Sequence, residues 1–156
     1  MANAVFDLFS KTQLEQFVNI LTEFRLAFYP TLNYESMTFL PTDPFDAVFT
    51  DTYNQHMERP QAFGNALGKN AAQYLVNLLA DKEAEIETAT SIWKIEPDDI
   101  KMHYYLLNFM ENALGEMDLA PAMQENFERW VQRKKDLIIT RQQRLEIEHL
   151  DIFVKQ

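Results

Sequence analysis

Apolar residues recur at helical spacing along most of this 156-residue chain, and this periodicity is the feature that most constrains its fold. The first periodic segment begins with Ser10-x-x-Gln13, a capping-box pattern in which the two side chains close the first turn of a helix. One face then carries an apolar stripe of Leu14, Phe17, Val18, Leu21, Phe24 and Phe28. The sequence therefore predicts an amphipathic helix from Ser10 to Phe28.

Prolines, acidic residues and a glycine mark the boundaries of further predicted helices. These are a short helix from Phe45 after Asp43-Pro44, one from Arg59-Pro60 through Leu78, a weaker acidic one from Asp81 to Trp93, one from Glu96-Pro97-Asp98-Asp99 to Leu114 with Gly115 as its stop, and a long last helix from Pro121 through Leu145. Residues 30–44 hold three prolines and are predicted to form a loop. The expected fold is all-α.

Composition narrows the class of protein. Hydrophobic residues make up 47% of the chain and aromatic residues 13%, which is enough to build a core, and there is no cysteine for disulfides or thiolate metal sites. The net charge of −10 disfavours nucleic acid as a partner. Because no signal peptide and no apolar stretch of membrane-spanning length is found, we expect a cytoplasmic protein without a membrane span.

A basic run interrupts this acidic background between residues 129 and 144. It comprises Arg129, Arg133, Lys134, Lys135, Arg141 and Arg144, against the single acid Asp136. Two interpretations remain open: a solvated helix face, or a docking surface for an acidic partner.

Motifs of catalysis and metal binding are absent from the sequence. It has no phosphate-binding glycine loop, no dinucleotide fingerprint and no zinc-protease motif. The histidines at positions 56, 103 and 149 are scattered and lack a second ligand at helical spacing. We therefore expect no enzyme activity, no catalytic residues and no metal site.

Several short motifs share the order and spacing of a known family. They are Phe28-Tyr29, Phe49, Arg59-Pro60-Gln61-Ala62-Phe63, Ile95-Glu96-Pro97-Asp98-Asp99, Leu114-Gly115, Pro121 and Trp130. Across residues 14–139 this pattern resembles the globin domain of bacterial single-domain globins and flavohaemoglobins. The resemblance implies one globin-like domain over residues 1–156, with a long last helix.

The resemblance also implies a pocket, and it departs from the family at the iron ligand. Tyr29 falls at the distal tyrosine position, Arg59 at the distal glutamine or histidine, Phe63 one turn further along, and Phe49 at the phenylalanine that packs on haem. Thr90 stands seven residues before Pro97, where the proximal histidine of a globin belongs. A threonine hydroxyl is a poor substitute for the imidazole that holds haem iron, so no haem is expected.

As a globin-like sequence that lacks the haem ligand, the chain resembles a group of bacterial sensor domains. Among them are small proteins related to the sensor domain of a sporulation histidine kinase. That group implies a fatty acid in the former haem pocket, a chloride ion nearby, and a role in modulating the kinase and inhibiting sporulation. The alternatives are a haem globin that binds oxygen or nitric oxide through an unusual axial ligand, and a purely structural interaction module.

Self-association is expected from the helix over residues 97–114, which is apolar almost all round. Such a helix has little polar surface left after it packs on its own core. We therefore expect a symmetric homodimer formed by this helix and the last one. The interface residues would be Tyr104, Tyr105, Phe109, Phe127 and Trp130.

Overall fold

The computed structural model describes residues 2–61 and 64–155 and shows a mixed α/β protein. The α-helices in these ranges are α1 (Lys11–Glu23), α2 (Asp46–Met57), α3 (Ala71–Ala80), α4 (Ile100–Gly115) and α5 (Pro121–Ile139), and short 3-10 helices cover Phe6–Leu8 and Gly68–Asn70. The strands are β1 (Ala2–Asn3), β2 (Pro30–Thr31), β3 (Asn33–Leu40), β4 (Pro60–Gln61), β5 (Gly64–Asn65), β6 (Glu85–Ile95) and β7 (Arg144–Lys155). The expectation of an all-α, globin-like fold is therefore wrong.

Two helices are shorter than expected, since α1 ends at Glu23 and not at Phe28, and α3 begins at Ala71 and not at Arg59. The larger errors lie in three segments. Residues 33–40 form β3 where a loop is expected, and residues 85–95 form β6 where an acidic helix is expected. The long last helix is also misjudged, because α5 ends at Ile139 and Arg144–Lys155 form β7. In β6 the apolar or β-branched residues alternate at positions 86, 88, 90 and 92, a period of two that belongs to a strand.

The long strands form a three-stranded antiparallel sheet in the order β3-β7-β6, so β7 is its central strand. Side-chain hydrogen bonds secure β7 to the start of β3. The Asp151 carboxylate accepts from the backbone N–H of Leu32 (2.8 Å), and the Asn33 amide donates to the carbonyl of Leu150 (2.7 Å). Two short pairs complete the strands: β1 runs parallel to β2, and β4 runs antiparallel to β5.

The chain folds into two compact units, each made of residues that mainly contact one another. Unit 1 comprises residues 1–36, 57–92 and 148–156, and its core includes Phe6, Leu14, Val18, Leu21, Leu75, Leu79, Ile152 and Val154. The capping box that opens α1 is confirmed: Ser10 Oγ accepts from the backbone N–H of Gln13, and the Gln13 side chain accepts from the N–H of Ser10. The prediction of one domain over residues 1–156 stays a prediction.

Unit 2 comprises residues 37–56 and 93–147 and contains α4, α5 and most of α2. Its core is aromatic: the Phe49 ring lies 5.1 Å from that of Phe127 and 5.2 Å from that of Trp130. The predicted helix starts at Pro121 and after Asp43-Pro44 are confirmed by α5 and α2. Among the residues described, no helix is long and apolar enough to cross a bilayer.

Candidate ligand-binding cleft on α3

One face of α3 is apolar and the opposite face carries carboxamides. Ala71, Ala72, Leu75 and Leu79 are buried in the core of unit 1. The other face presents Asn70, Gln73, Tyr74 and Asn77, at the spacing i, i+3, i+4, i+7 that places residues on one side of a helix. Packing of the apolar face therefore fixes the direction in which the polar face points.

This polar face forms one wall of a cleft in unit 1 with a volume of about 470 Å³. The residues that line it are Lys11, Glu58, Ala66, Leu67, Asn70, Gln73, Tyr74 and Asn77. They supply one cation, one anion, three carboxamides and one phenol. A ligand in the cleft would therefore meet both donors and acceptors, and a lining with no net formal charge.

Hydrogen bonds order these side chains. The Asn70 amide donates to Glu58 Oε1 at 2.8 Å, and the Gln73 amide donates to Asn77 Oδ1 at 3.0 Å. In these two pairs, each carboxamide uses only one of the several hydrogen bonds that it can form. The remaining donors and acceptors can bind a ligand.

Tyr74 is held between α3 and the start of α1. Its hydroxyl donates to Glu15 Oε1 at 2.6 Å, and the Lys11 ammonium lies 5.7 Å from the centre of its ring. The hydrogen bond to Glu15, reinforced by desolvation and by the carboxylate's charge, raises the pKa of Tyr74 above its ordinary value. Tyr74 is thus held in place as a protonated phenol at neutral pH.

A glycine brings the loop before α3 close to Glu58. Gly68 has a φ of +51°, and a Cβ atom there would lie 3.0 Å from Glu58 Cγ. Only glycine adopts this conformation at low cost and leaves room for the glutamate. The position of Glu58 at the cleft therefore depends on the absence of a side chain at residue 68.

Of the residues that the globin resemblance assigned to a pocket, Tyr29, Phe49, Arg59 and Thr90 do not line this cleft. Tyr29 is 40% exposed and packs edge-on against Phe153, with 6.0 Å between ring centres. Arg59 is exposed, and Thr90 is exposed on β6, in a strand and not on a proximal helix. Phe49 is fully buried in the core of unit 2, and Phe63 lies outside the described residues.

The residues expected at a dimer interface fall into two groups. Phe127 and Trp130 are 5% and 0% exposed and belong to the core of unit 2. Tyr105 and Phe109 are 64% and 55% exposed, with stacked rings 6.4 Å apart, and Tyr104 is half-buried. Of these five residues, only those on α4 therefore present surface to a second copy, and the homodimer stays a prediction.

Unit 2 has a smaller cavity of about 350 Å³, beside the start of α2 and the end of α5. The residues that line it are Pro41, Thr42, Asp43, Arg133, Asp136, Leu137, Thr140 and Gln142. Two of its three charged side chains neutralise each other, because Arg133 donates two hydrogen bonds to the Asp43 carboxylate, at 2.6 and 3.0 Å. Gln142 is the single carboxamide in this lining, whereas the cleft on α3 has three.

Sequence reasoning missed the cleft because it followed the apolar face of α3. The signal was available in part: Asn70-x-x-Gln73-Tyr74-x-x-Asn77 places four polar groups on one helix face. Within the described ranges, no group of three or more histidine, cysteine, aspartate or glutamate side chains could hold a metal ion. No protein-family model and no curated protein matches this chain.

Proposed function

We propose that this protein is a binding protein whose α3 cleft takes a small, neutral, polyhydroxylated molecule such as a mono- or disaccharide. The observation that carries the proposal is the row of carboxamides formed by Asn70, Gln73 and Asn77 along one wall of the cleft.

The chemistry of the lining supports a hydroxyl-rich ligand. A carboxamide has donors and an acceptor side by side, and a hydroxyl group is likewise both donor and acceptor, so the two classes pair without a net charge. Lys11 and Glu58 add one donor group and one acceptor group of opposite charge. A ligand with a net charge would be repelled by whichever of Lys11 and Glu58 carries a charge of the same sign.

The size of the cleft supports a small molecule. Its volume of about 470 Å³ lies within the range of roughly 300–1,000 Å³ that ligand sites occupy. Ala66 and Leu67 also line the cleft, but they are only 6% and 7% exposed and add little apolar surface. The polar wall is unfavourable for a long acyl chain, because burying the carboxamides against methylenes would remove their hydrogen bonds to water.

The fatty acid, the chloride ion and the histidine kinase stay predictions from the sequence resemblance. They depend on a globin fold, and the observed fold is a different one. We carry none of them into the proposed function.

The test is a titration of isotope-labelled protein by NMR with glucose, N-acetylglucosamine and maltose, with glucose 6-phosphate and dodecanoate as charged comparisons. At least one of the neutral sugars should shift the amide signals of residues 70–77. The variants Gln73→Ala and Asn77→Ala should lose most of this response. Gln124→Ala is the matched control, because Gln124 is an exposed amide that donates to Glu128 across the same i,i+4 spacing in α5.

Two results would overturn the proposal. One is the absence of shifts at residues 70–77 with all three sugars. The other is a response that survives Gln73→Ala and Asn77→Ala unchanged. A response at these residues to dodecanoate alone would instead favour an apolar anion as the ligand.

A further inference from the structure

The strand β6 presents a long unpaired edge. In the sheet order β3-β7-β6, the neighbour of β6 is β7, and within the described chain no strand lies on its other side. The strand is 11 residues long and contains neither proline nor glycine. Within the described residues, no strand pairs with the outer edge of residues 85–92, so another strand can pair there.

The middle of this edge is exposed and uncharged. Thr88, Ala89 and Thr90 are exposed, and Ile92 is 43% exposed. The charged residues lie towards the ends of the strand, Glu85 and Glu87 at the start and Lys94 near the finish. Natural edge strands are usually protected by a central lysine, a proline or a bulge, and residues 88–92 contain no lysine or proline.

We propose that β6 of a second copy of this chain pairs with this edge, in antiparallel orientation, to form a symmetric dimer. This surface is separate from the α3 cleft, so the proposal does not depend on the proposed function. The occupant is a second copy because an antiparallel copy brings the acidic start of the strand beside the end that carries Lys94, and pairs β-branched side chains with each other.

Charge selects the antiparallel orientation. In a parallel pair, Glu85 and Glu87 would lie beside the same glutamates of the partner, and like charges across a strand pair are destabilising. In an antiparallel pair, the acidic start of one strand meets the end of the other, which carries Lys94 and no acidic residue. The uncharged stretch 88–92 also limits the repulsion expected between two chains that each carry a net charge of −10.

Symmetry limits the register. A twofold axis perpendicular to the sheet keeps each side chain on its own face, so two residues that face each other must be separated by an even number of positions. The register centred on Ala89 places Ile86 opposite Ile92 of the partner subunit and Thr88 opposite the partner's Thr90. These are cross-strand pairs of β-branched residues, which stabilise antiparallel sheets.

Charge exchange at one cross-strand pair tests both the surface and the register. Two variants are made, Thr88→Lys/Thr90→Lys and Thr88→Glu/Thr90→Glu. In the proposed register, each variant places like charges opposite each other twice in a homodimer, whereas a mixture of the two places opposite charges there. Far-UV circular dichroism and thermal melting of each variant show whether it folds.

Sedimentation velocity at micromolar concentration gives the result. We expect a concentration-dependent dimer of the unaltered protein, monomers of each double variant, and recovery of a dimer when the two variants are mixed. Thr38→Lys is the control, because Thr38 is an exposed threonine on the other edge strand, β3, and its replacement should leave the dimer unchanged.

Three outcomes would overturn the proposal. The first is an unaltered protein that stays monomeric over the whole concentration range. The second is a dimer that survives both double variants. The third is a mixture of folded variants that remains monomeric. A dimer that resists both double variants and dissociates with Phe109→Glu would assign self-association to the exposed face of α4.

Discussion

Lys134 and Asp46 form an ion pair inside unit 2, with 2.7 Å between Nζ and Oδ1. The lysine side chain is 1% exposed, and its ammonium lies 4.5 Å from the centre of the Phe39 ring. Asp46 also accepts hydrogen bonds from Trp130 Nε1 and from the backbone N–H of Asp43, both at 2.7 Å. One carboxylate at the start of α2 thus secures α5 and the preceding loop.

The two partners of this pair are not equivalent, and we predict unequal losses when each is replaced. Asp46→Asn leaves a buried ammonium without its carboxylate, which should cost about 3–5 kcal/mol of unfolding free energy. Lys134→Met should cost less, because Asp46 keeps two donors and a similar volume fills the core. Urea denaturation measures both, and the double variant should be more stable than Asp46→Asn alone. A larger loss for Lys134→Met than for Asp46→Asn would contradict this account.

Asp43 makes unit 2 sensitive to acid. The hydrogen bonds from Arg133 are the largest cause that lowers the pKa of Asp43 below its ordinary value of 3.8. A carboxyl group with a lowered pKa in the folded state stabilises the fold above pH 3.8, and this contribution is lost as the pH falls below it. We therefore predict that Asp43→Asn reduces the loss of stability of the protein below pH 3.8.

The control for Asp43 is an ion pair on the surface. Asp98 accepts from Arg141 at 2.9 Å, but both side chains are more than 60% exposed. Such pairs contribute little, because water and salt screen them. Asp98→Asn should leave the acid-unfolding curve unchanged. Equal effects of the two variants, measured by unfolding at a series of pH values, would argue against a special role for Asp43.

The boundaries of several helices were predictable from the sequence, because they depend on local chemistry. Ser10 and Gln13 form their capping box with residues of the same turn, and Pro121 begins α5 because it lacks an N–H that a first-turn residue does not need. These signals act over a few residues, so tertiary structure does not change them.

The strands were not predicted because short apolar runs fit more than one period. Leu145 continues the apolar spacing of Leu137 and Ile138, so the sequence predicts a helix through Leu145, although β7 begins at Arg144. The cleft could not be predicted either, since Lys11 and Glu58 reach α3 from segments 59 and 12 residues before Asn70, through tertiary packing. Only its row of carboxamides, Asn70, Gln73 and Asn77, could have been predicted from the sequence.

His149 makes unit 1 sensitive to mild acid. It lies on β7 and is 5% exposed, and this burial is the main cause that lowers its pKa below 6.5, against the opposing effects of Asp151 and the backbone of Ser91. A lowered pKa means that the unfolded chain binds the proton more readily than the folded one. Stability should therefore fall as the pH drops below 6.5. In an NMR titration, the imidazole signals of His149 should show a midpoint below pH 6.5. A midpoint above pH 6.5 would contradict the prediction.

Gly68 and Gly115 provide a matched pair of glycine substitutions. Gly68→Ala forces an alanine into a left-handed conformation, which costs about 1–2 kcal/mol, and brings its Cβ to 3.0 Å from Glu58 Cγ. Gly115 ends α4 and has no atom within 4 Å of a Cβ placed there, so Gly115→Ala should stabilise the protein by about 0.5–1 kcal/mol.

The glycine pair also connects stability to the cleft. Because the new methyl group must displace Glu58, Gly68→Ala should disturb the hydrogen bond from the Asn70 amide and shift its NMR signals, whereas Gly115→Ala should not. Thermal melting of both variants and a comparison of their amide spectra measure the two effects. If Gly68→Ala were as stable as the unaltered protein and left the Asn70 signals in place, the glycine would not be what positions Glu58 at the cleft.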